Sequence, residues 1–488
     1  MKLRTIAAAV AALATFQAHA LDITTTNSAN TVKIYAAGAS AVSNVLAGIF
    51  VQNCASGLDI YGSDKTKPNF STDGNNGDSH RVYSCTLKAE GQLDADLQGK
   101  GLGNANVALW KRDAGGSATG VFHVAVPLVS TNLVVSATSC TSTGATAGYA
   151  PGASRPTYSY LCGDTESVRS PDVGFSDVEP EFFKGINVPD DLVGTYGAGL
   201  NDTQLKSLTR QPTFQTVFAV AVSKALYDRL KADGKTVDGT TTGVPTISRV
   251  VAGSLMRGEM SDPSNGLGWH ALGITVGADT QVNICRRAPG SGTQAAANLL
   301  ASGFPCTSAS IPDPVRNDAS DTPDNNLSGP YTGGNLFVYE GGSTGNVRSC
   351  LTNANTAGAY AIGHISVENA EEAGWKFVAL DGVVPSRDNL KNGKYDYAME
   401  SSVQYRKSLI TQLSAGTAID KAKAGFIQGF AKAVGRPANL AKIATANQNG
   451  VAALSGQGTF GGTGADGTFV SRVARTAGNN CTPLAVVK

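Results

Sequence analysis

Arg286-Arg287-Ala288-Pro289-Gly290-Ser291-Gly292-Thr293 is the stretch on which the reading of this chain turns. Gln281-Val-Asn-Ile-Cys285 before it reads as a strand, and Ala295-Ala-Ala-Asn-Leu-Leu300 after it reads as a helix. A strand that runs through glycines into a helix brings successive backbone N–H groups to one point. The helix start adds its positive dipole end. Ser291 and Thr293 add hydroxyl donors, and a guanidinium grips two oxygens of a tetrahedral anion at once. Neighbouring strand residues face opposite ways, so only one of the two arginines can reach such a cradle. The plain alternative is a capped helix start flanked by two surface arginines.

Three further turns offer parts of the same device. Thr31 to Ala36 reads as a strand leading into Gly38-Ala39-Ser40-Ala41, and Val42, Val45, Leu46, Ile49 and Phe50 carry helical spacing beyond it. Gly116-Ser117-Ala118-Thr119-Gly120 reads as a loop, followed by apolar runs at Val124–Val129 and Leu133–Val135 expected as strands. Gly174-Phe-Ser-Asp177 ends in an aspartate of the type that caps helices. Downstream, Thr216–Val222 suits a buried strand, Ile247–Met256 a helix, Leu336–Tyr339 and Ala359–Ile362 short strands, and Leu409–Val434 a helical stretch. Strands alternating with helices give an α/β class.

The 488 residues allow two cores. Net charge is +1 and only 16% of residues are charged, so no basic face is available for nucleic acid. Lys2 and Arg4, the apolar run Ile6–Leu13 and Ala18-His19-Ala20 read as a signal peptide over residues 1–20. The expected address is the periplasm, or the space beyond the outer membrane, without direct membrane insertion. The 8 cysteines fit an oxidising compartment. Cys54–Cys85 and Cys140–Cys162 are the expected disulfides, since each closes a polar loop with little core of its own. The pairing of Cys285, Cys306, Cys350 and Cys481 is left open.

Taken in order, these segments resemble the phosphate-binding proteins of bacterial phosphate ABC transporters, within the type II periplasmic binding superfamily. Gly38-Ala39-Ser40 matches the family's early G-A-T/S turn, and Gly116–Val121 is similar to its G-S-S-G-G-V loop. Asp172–Asp177 resembles D-F-G-A-S-D, and Arg286–Thr293 resembles R-R-x-D-G-S-G-T. Gly358–Gly363 and Asn392–Tyr395 resemble its P-G-A-I-G-Y and N-G-x-Y segments. Residues 52–105, 122–170 and 305–334 lie outside the likeness and read as insertions. Pro289 stands where the family commonly has aspartate, and Ala41 where it has phenylalanine.

The resemblance implies a two-lobed α/β fold with hinge strands and a ligand site of Ser40, Ala41, Ser117, Asp177, Arg287, Gly290, Ser291, Gly292 and Thr293. It implies inorganic phosphate as ligand, an ABC permease as partner, a monomer, and no cofactor or metal. Phosphate keeps an O–H near neutral pH, and the Asp177 carboxylate can accept it; sulfate has no such donor. Expected boundaries are residues 21–216 with 401–488 for lobe I and 217–400 for lobe II, with Thr216–Val222 and Tyr397–Tyr405 as hinges. A second reading is an extracellular or surface interaction protein that kept the fold and lost transport.

An enzyme is not expected. Gly341-Gly342-Ser343-Thr344-Gly345 matches G-x-S-x-G after a strand, which invites a serine hydrolase. That order needs an acid and then a histidine after the serine. His364 follows Ser343, yet Gly345–Gly363 contains no Asp or Glu. The better reading is a turn lining the cleft. His80, His123, His270 and His364 lack metal-ligand spacing.

Overall fold

The computed structural model describes residues 21–149, 155–259, 268–277, 280–307, 313–316, 327–443 and 450–487. The expected signal peptide lies outside them, as does much of the 305–334 stretch. Within them the chain is α/β, and a mixed sheet of 14 strands runs through it.

Two parallel blocks make up most of that sheet. In one, Val32–Gly38 lies between Asn106–Arg112 and Val173–Ser176. In the other, Val282–Arg287 lies between Leu336–Gly341 and Ala361–Ser366. Both central strands are almost wholly buried: Val32–Gly38 is largely apolar, which suits a parallel strand covered on both faces, whereas Val282–Arg287 also buries Asn283, Arg286 and Arg287. The 16-residue strand Leu208–Ser223 joins the blocks. It runs antiparallel to Ala398–Arg406 through Leu208–Val217 and to Ala361–Ser366 through Phe218–Val222. The two crossing strands contain most of the expected hinge residues.

Each block has its own core, which makes the molecule two-lobed. Val45, Phe50, Tyr83, Phe175, Phe426 and Phe430 belong to one, and Val220, Ile284, Tyr339, Ile362 and Trp375 to the other. Val121, Phe122 and Val124, from the N-terminal part of the chain, pack into the second core.

Several local expectations are corrected. Gly116–Gly120 is not a loop and Val124–Val129 is not a strand: Gly116–Ala125 is one helix. Gly115 starts it in the left-handed region at φ +83°. A Cβ at Gly120 would stand 2.5 Å from the Phe175 carbonyl oxygen, so small residues let this helix lie directly on the strands. Residues 52–105 are not merely an inserted loop, because Asp59–Ser63 and His80–Thr86 extend the main sheet. The stretch 409–434 forms two helices, Lys407–Ala415 and Ala418–Ala433, the second opened by a capping box between Thr417 and Asp420.

Disulfides join Cys54 to Cys85 and Cys140 to Cys162, as expected, and also Cys285 to Cys350 and Cys306 to Cys481. Among the described residues no helix is long and apolar enough to cross a membrane.

Candidate functional site

The carboxyl ends of the parallel strands of both lobes meet where the chain turns into helices. Val32–Gly38 ends in Gly38 at φ +124°, where a Cβ would stand 1.9 Å from the Phe175 carbonyl oxygen. Only glycine fits there. The Ala39 amide donates to that oxygen at 3.0 Å, and Ser40 and Ala41 follow in a short 3-10 turn, Ala41 buried. Ser117 sits in the first turn of the Gly116–Ala125 helix, and Asp177 directly follows Val173–Ser176. From the other lobe, Arg287 ends its strand and Ser291 caps the Gly292–Ser302 helix, accepting from the Gln294 amide.

Ser117, Asp177 and Gly292 are brought into direct contact. The Asp177 amide donates to Ser117 Oγ at 3.1 Å, and that hydroxyl donates to Asp177 Oδ2 at 3.3 Å. A Cβ on Gly292 would stand 2.4 Å from Ser117 Oγ and 2.6 Å from Asp177 Oδ2. Across the same junction the Ala118 amide donates to the Gly290 carbonyl at 2.9 Å, and the Gly290 amide to the Asn187 carbonyl at 3.0 Å. Two backbone donors of this junction are therefore engaged with protein. Thr293 is buried beside Gly292.

The two arginines part ways. Arg286 donates to the carbonyls of Pro314 and Val315 and lies 3.4 Å from Glu340. Arg287 donates to Thr344 Oγ1 at 3.0 Å and to the Gly342 carbonyl at 2.9 Å. Its positive charge acts on Asp177. Burial pushes the Asp177 carboxyl up to about 6, while Arg287, Ser117 and Lys111 pull it the other way. Asp177 Oδ1 is buried without a hydrogen-bond partner. The site therefore holds a carboxylate with acceptor capacity left over, beside a guanidinium and two helix starts.

Ser40 stands apart from this contact. It lines a cavity of about 50 Å³ between the lobes, together with Asp113, Arg81, Ser343, Thr344 and Glu368. Thr344 links the two places, since Arg287 donates to it. Ser343 is the N-cap of the Thr344–Thr356 helix, in a capping box with Asn346. His364 is bonded through Nδ1 to the Tyr397 hydroxyl at 3.0 Å.

The sequence reading missed Lys111 and Asp113. Lys111 is fully buried and donates to the carbonyls of Gly38 at 2.9 Å and Ala39 at 3.2 Å, and to Asp113 Oδ1. It ties down the turn that positions Ser40. The signal was available: Lys111-Arg112-Asp113 follows the apolar run Val107–Trp110, the same pattern of charge at a strand's carboxyl end as Arg286-Arg287. Gln294, which accepts from the Arg287 amide at 3.1 Å, was also passed over.

No family model matches the chain, and no curated protein matches it either. Among solved structures, an ABC-type phosphate transport receptor from Vibrio cholerae is similar at 10% identity and TM-score 0.36, over 80% of this chain and 92% of that one. PstS from Borrelia burgdorferi is similar at 11% identity and TM-score 0.30, over 80% of this chain and 91% of that one.

Proposed function

We propose that the chain is an exported solute-binding protein whose lobes close on a tetrahedral oxyanion, phosphate, for delivery to an ABC permease. The observation that carries this reading is the Asp177 oxygen left unpartnered at a junction of two helix starts, with the Arg287 charge acting on the same carboxylate. An ion entering there would take the place of the contacts between Gly290–Gly292 and Ser117–Asp177. It would gain amide donors, the Ser117, Ser291 and Thr293 hydroxyls and the guanidinium, and give its own O–H to Asp177. Ser40 and the Ala41 amide would approach from the remaining side. Four disulfides fit an oxidising compartment. The role asks for capture and release, not chemistry.

One feature favours the second reading, an interaction protein without transport. The Gly290 carbonyl already satisfies the Ala118 amide, and Gly292 packs against Asp177, so an ion would have to displace protein contacts that join the lobes. Titration calorimetry with phosphate and with sulfate decides between the two. The transport reading expects phosphate binding, no sulfate binding, and loss of binding in Asp177→Asn and Arg287→Ala. Absence of heat with either anion leaves the second reading.

A further inference from the structure

The cavity beside Ser40 contains groups that a bare phosphate at the Asp177 junction would not use. Asp113 and Glu368 reach it from opposite lobes and are 3% and 7% exposed. Each keeps one buried oxygen, Oδ2 and Oε2, without a hydrogen-bond partner. Their other oxygens are occupied: Asp113 Oδ1 accepts from Ser43 and Lys111, and Glu368 Oε1 from Ser366 Oγ at 3.4 Å. Arg81, Arg155 and Arg348 line the same cavity, and Arg348 Nε is also buried without a partner. Leaving buried polar groups unpaired is costly, so a lining of this kind points to a group that pairs them.

The lining selects the chemistry of that group. The three guanidiniums are balanced by three lining carboxylates, Asp78 among them and paired with Arg155. An ammonium would satisfy the free carboxylate oxygens but offer no acceptor to Arg348 Nε. A carboxylate would face Asp113 and Glu368. A hydroxyl does both jobs, donating to a carboxylate oxygen and accepting from Arg348. About 50 Å³ leaves room for one or two water-sized groups. The cavity neighbours the anion junction through Thr344, which lines it and accepts from Arg287 at 3.0 Å.

Building on the oxyanion reading, we infer that this cavity is a subsite for the hydroxyl-bearing end of a short polyol phosphate ester, whose phosphoryl group occupies the Asp177 junction. The ligand class is then a small polyol phosphate, with inorganic phosphate the weaker ligand. Burial and the like charges of Asp177 and Asp113 raise the Glu368 carboxyl above its ordinary range.

The test is competition calorimetry on the full mature chain with glycerol 3-phosphate, 2-aminoethyl phosphate and inorganic phosphate. The wild type should bind glycerol 3-phosphate about tenfold or more tighter than phosphate, the margin that one or two added hydrogen bonds supply. The aminoethyl ester should gain no such margin. Glu368→Ala and Arg348→Ala should each bring the glycerol phosphate to phosphate ratio towards one while phosphate affinity stays; thermal melts confirm that each variant is folded. Phosphate binding with glycerol 3-phosphate excluded overturns the subsite and leaves the oxyanion reading standing. An unchanged ratio in both folded variants also overturns it. If none of the three ligands binds, both readings fall together.

Discussion

The Ser117 hydroxyl holds Asp177 at two points, accepting from its amide at 3.1 Å and donating to its carboxylate at 3.3 Å. A hydroxyl has a single hydrogen to give, so Ser117 satisfies Oδ2 and leaves Oδ1 for another donor. The arrangement keeps a buried carboxylate in place while leaving part of it unsatisfied, which costs stability.

That cost has a pH signature. The folded-state pKa of Asp177, about 6, lies above the ordinary 3.8, so the folded protein holds this proton more tightly than the unfolded chain. Its contribution favours the fold below about pH 4 and is lost as pH rises through about 6. The shift of about two units corresponds to roughly 3 kcal/mol. Asp177→Asn removes the term. Urea unfolding at pH 4 and pH 7 should show the variant gaining on the wild type by up to about 3 kcal/mol at the higher pH. The same variant should bind no phosphate, because the amide presents a donor where the ion's O–H needs an acceptor.

Gly292 sets how closely the lobes meet. A methyl group there would fall 2.4 Å from Ser117 Oγ and 2.6 Å from Asp177 Oδ2, distances that force one side to move. Gly292→Ala should cost about 1–3 kcal/mol in denaturant unfolding, the usual range for overpacking. It should also weaken phosphate binding, since the displaced groups are those that would hold the ion. Alanine is a good residue for the first turn of a helix, so any loss arises from the contact and not from propensity.

How much of this was legible depends on which physics governed each residue. The Arg286–Thr293 turn could be read because its glycines, hydroxyls and charge are local. The opposite facing of Arg286 and Arg287 follows from strand geometry alone. Cys54–Cys85 and Cys140–Cys162 were legible because each closes one short loop; Cys306 and Cys481 are 175 residues apart and only tertiary structure brings them together. The Gly116–Ala125 helix was hidden because it opens with loop-type residues, Gly116 lying close to Gly290 and Gly120 close to Phe175, and its β-branched Val121 and Val124 mimic a strand. Glu368 carried no local signal, since it matters only through burial opposite Asp113.

Lys111 should prove a positioning residue. Its ammonium bonds the carbonyls of Gly38 and Ala39 and pairs with Asp113, both side chains fully buried. Lys111→Met keeps most of the volume but leaves Asp113 charged and without its cation. Breaking a buried pair from one side costs about 3–5 kcal/mol. Chemical denaturation should show a loss of that size. The double variant Lys111→Met with Asp113→Asn should recover part of it, because no uncompensated charge remains.

The C-terminal tail is bound across the crossing strands, and Cys306–Cys481 fastens it. Arg475 donates to the Ala398 carbonyl at 2.7 Å, and the Glu400 amide donates to Asn480 Oδ1 at 2.8 Å. The Asn480 amide in turn donates to Glu179 Oε1 at 2.8 Å. Beneath the tail lies a cavity of about 390 Å³, lined in part by Glu179, Arg210, Pro305, Ser402 and Cys481. These polar contacts hold the tail locally, while the disulfide limits how far it can leave in the unfolded chain. The loop it closes spans 175 positions, which sets an upper stabilisation of about 5 kcal/mol in the chain-entropy model; the other cross-links shorten the effective loop and reduce it. Replacing both Cys306 and Cys481 by serine should therefore lower stability by a few kcal/mol. Hydrogen exchange should quicken over residues 471–487 and at Ala398–Ser402, with the strands Val32–Gly38 and Val282–Arg287 still protected. Uniform quickening across both lobes would mean that the tail is part of the global folding unit and not a fastening over the crossing strands.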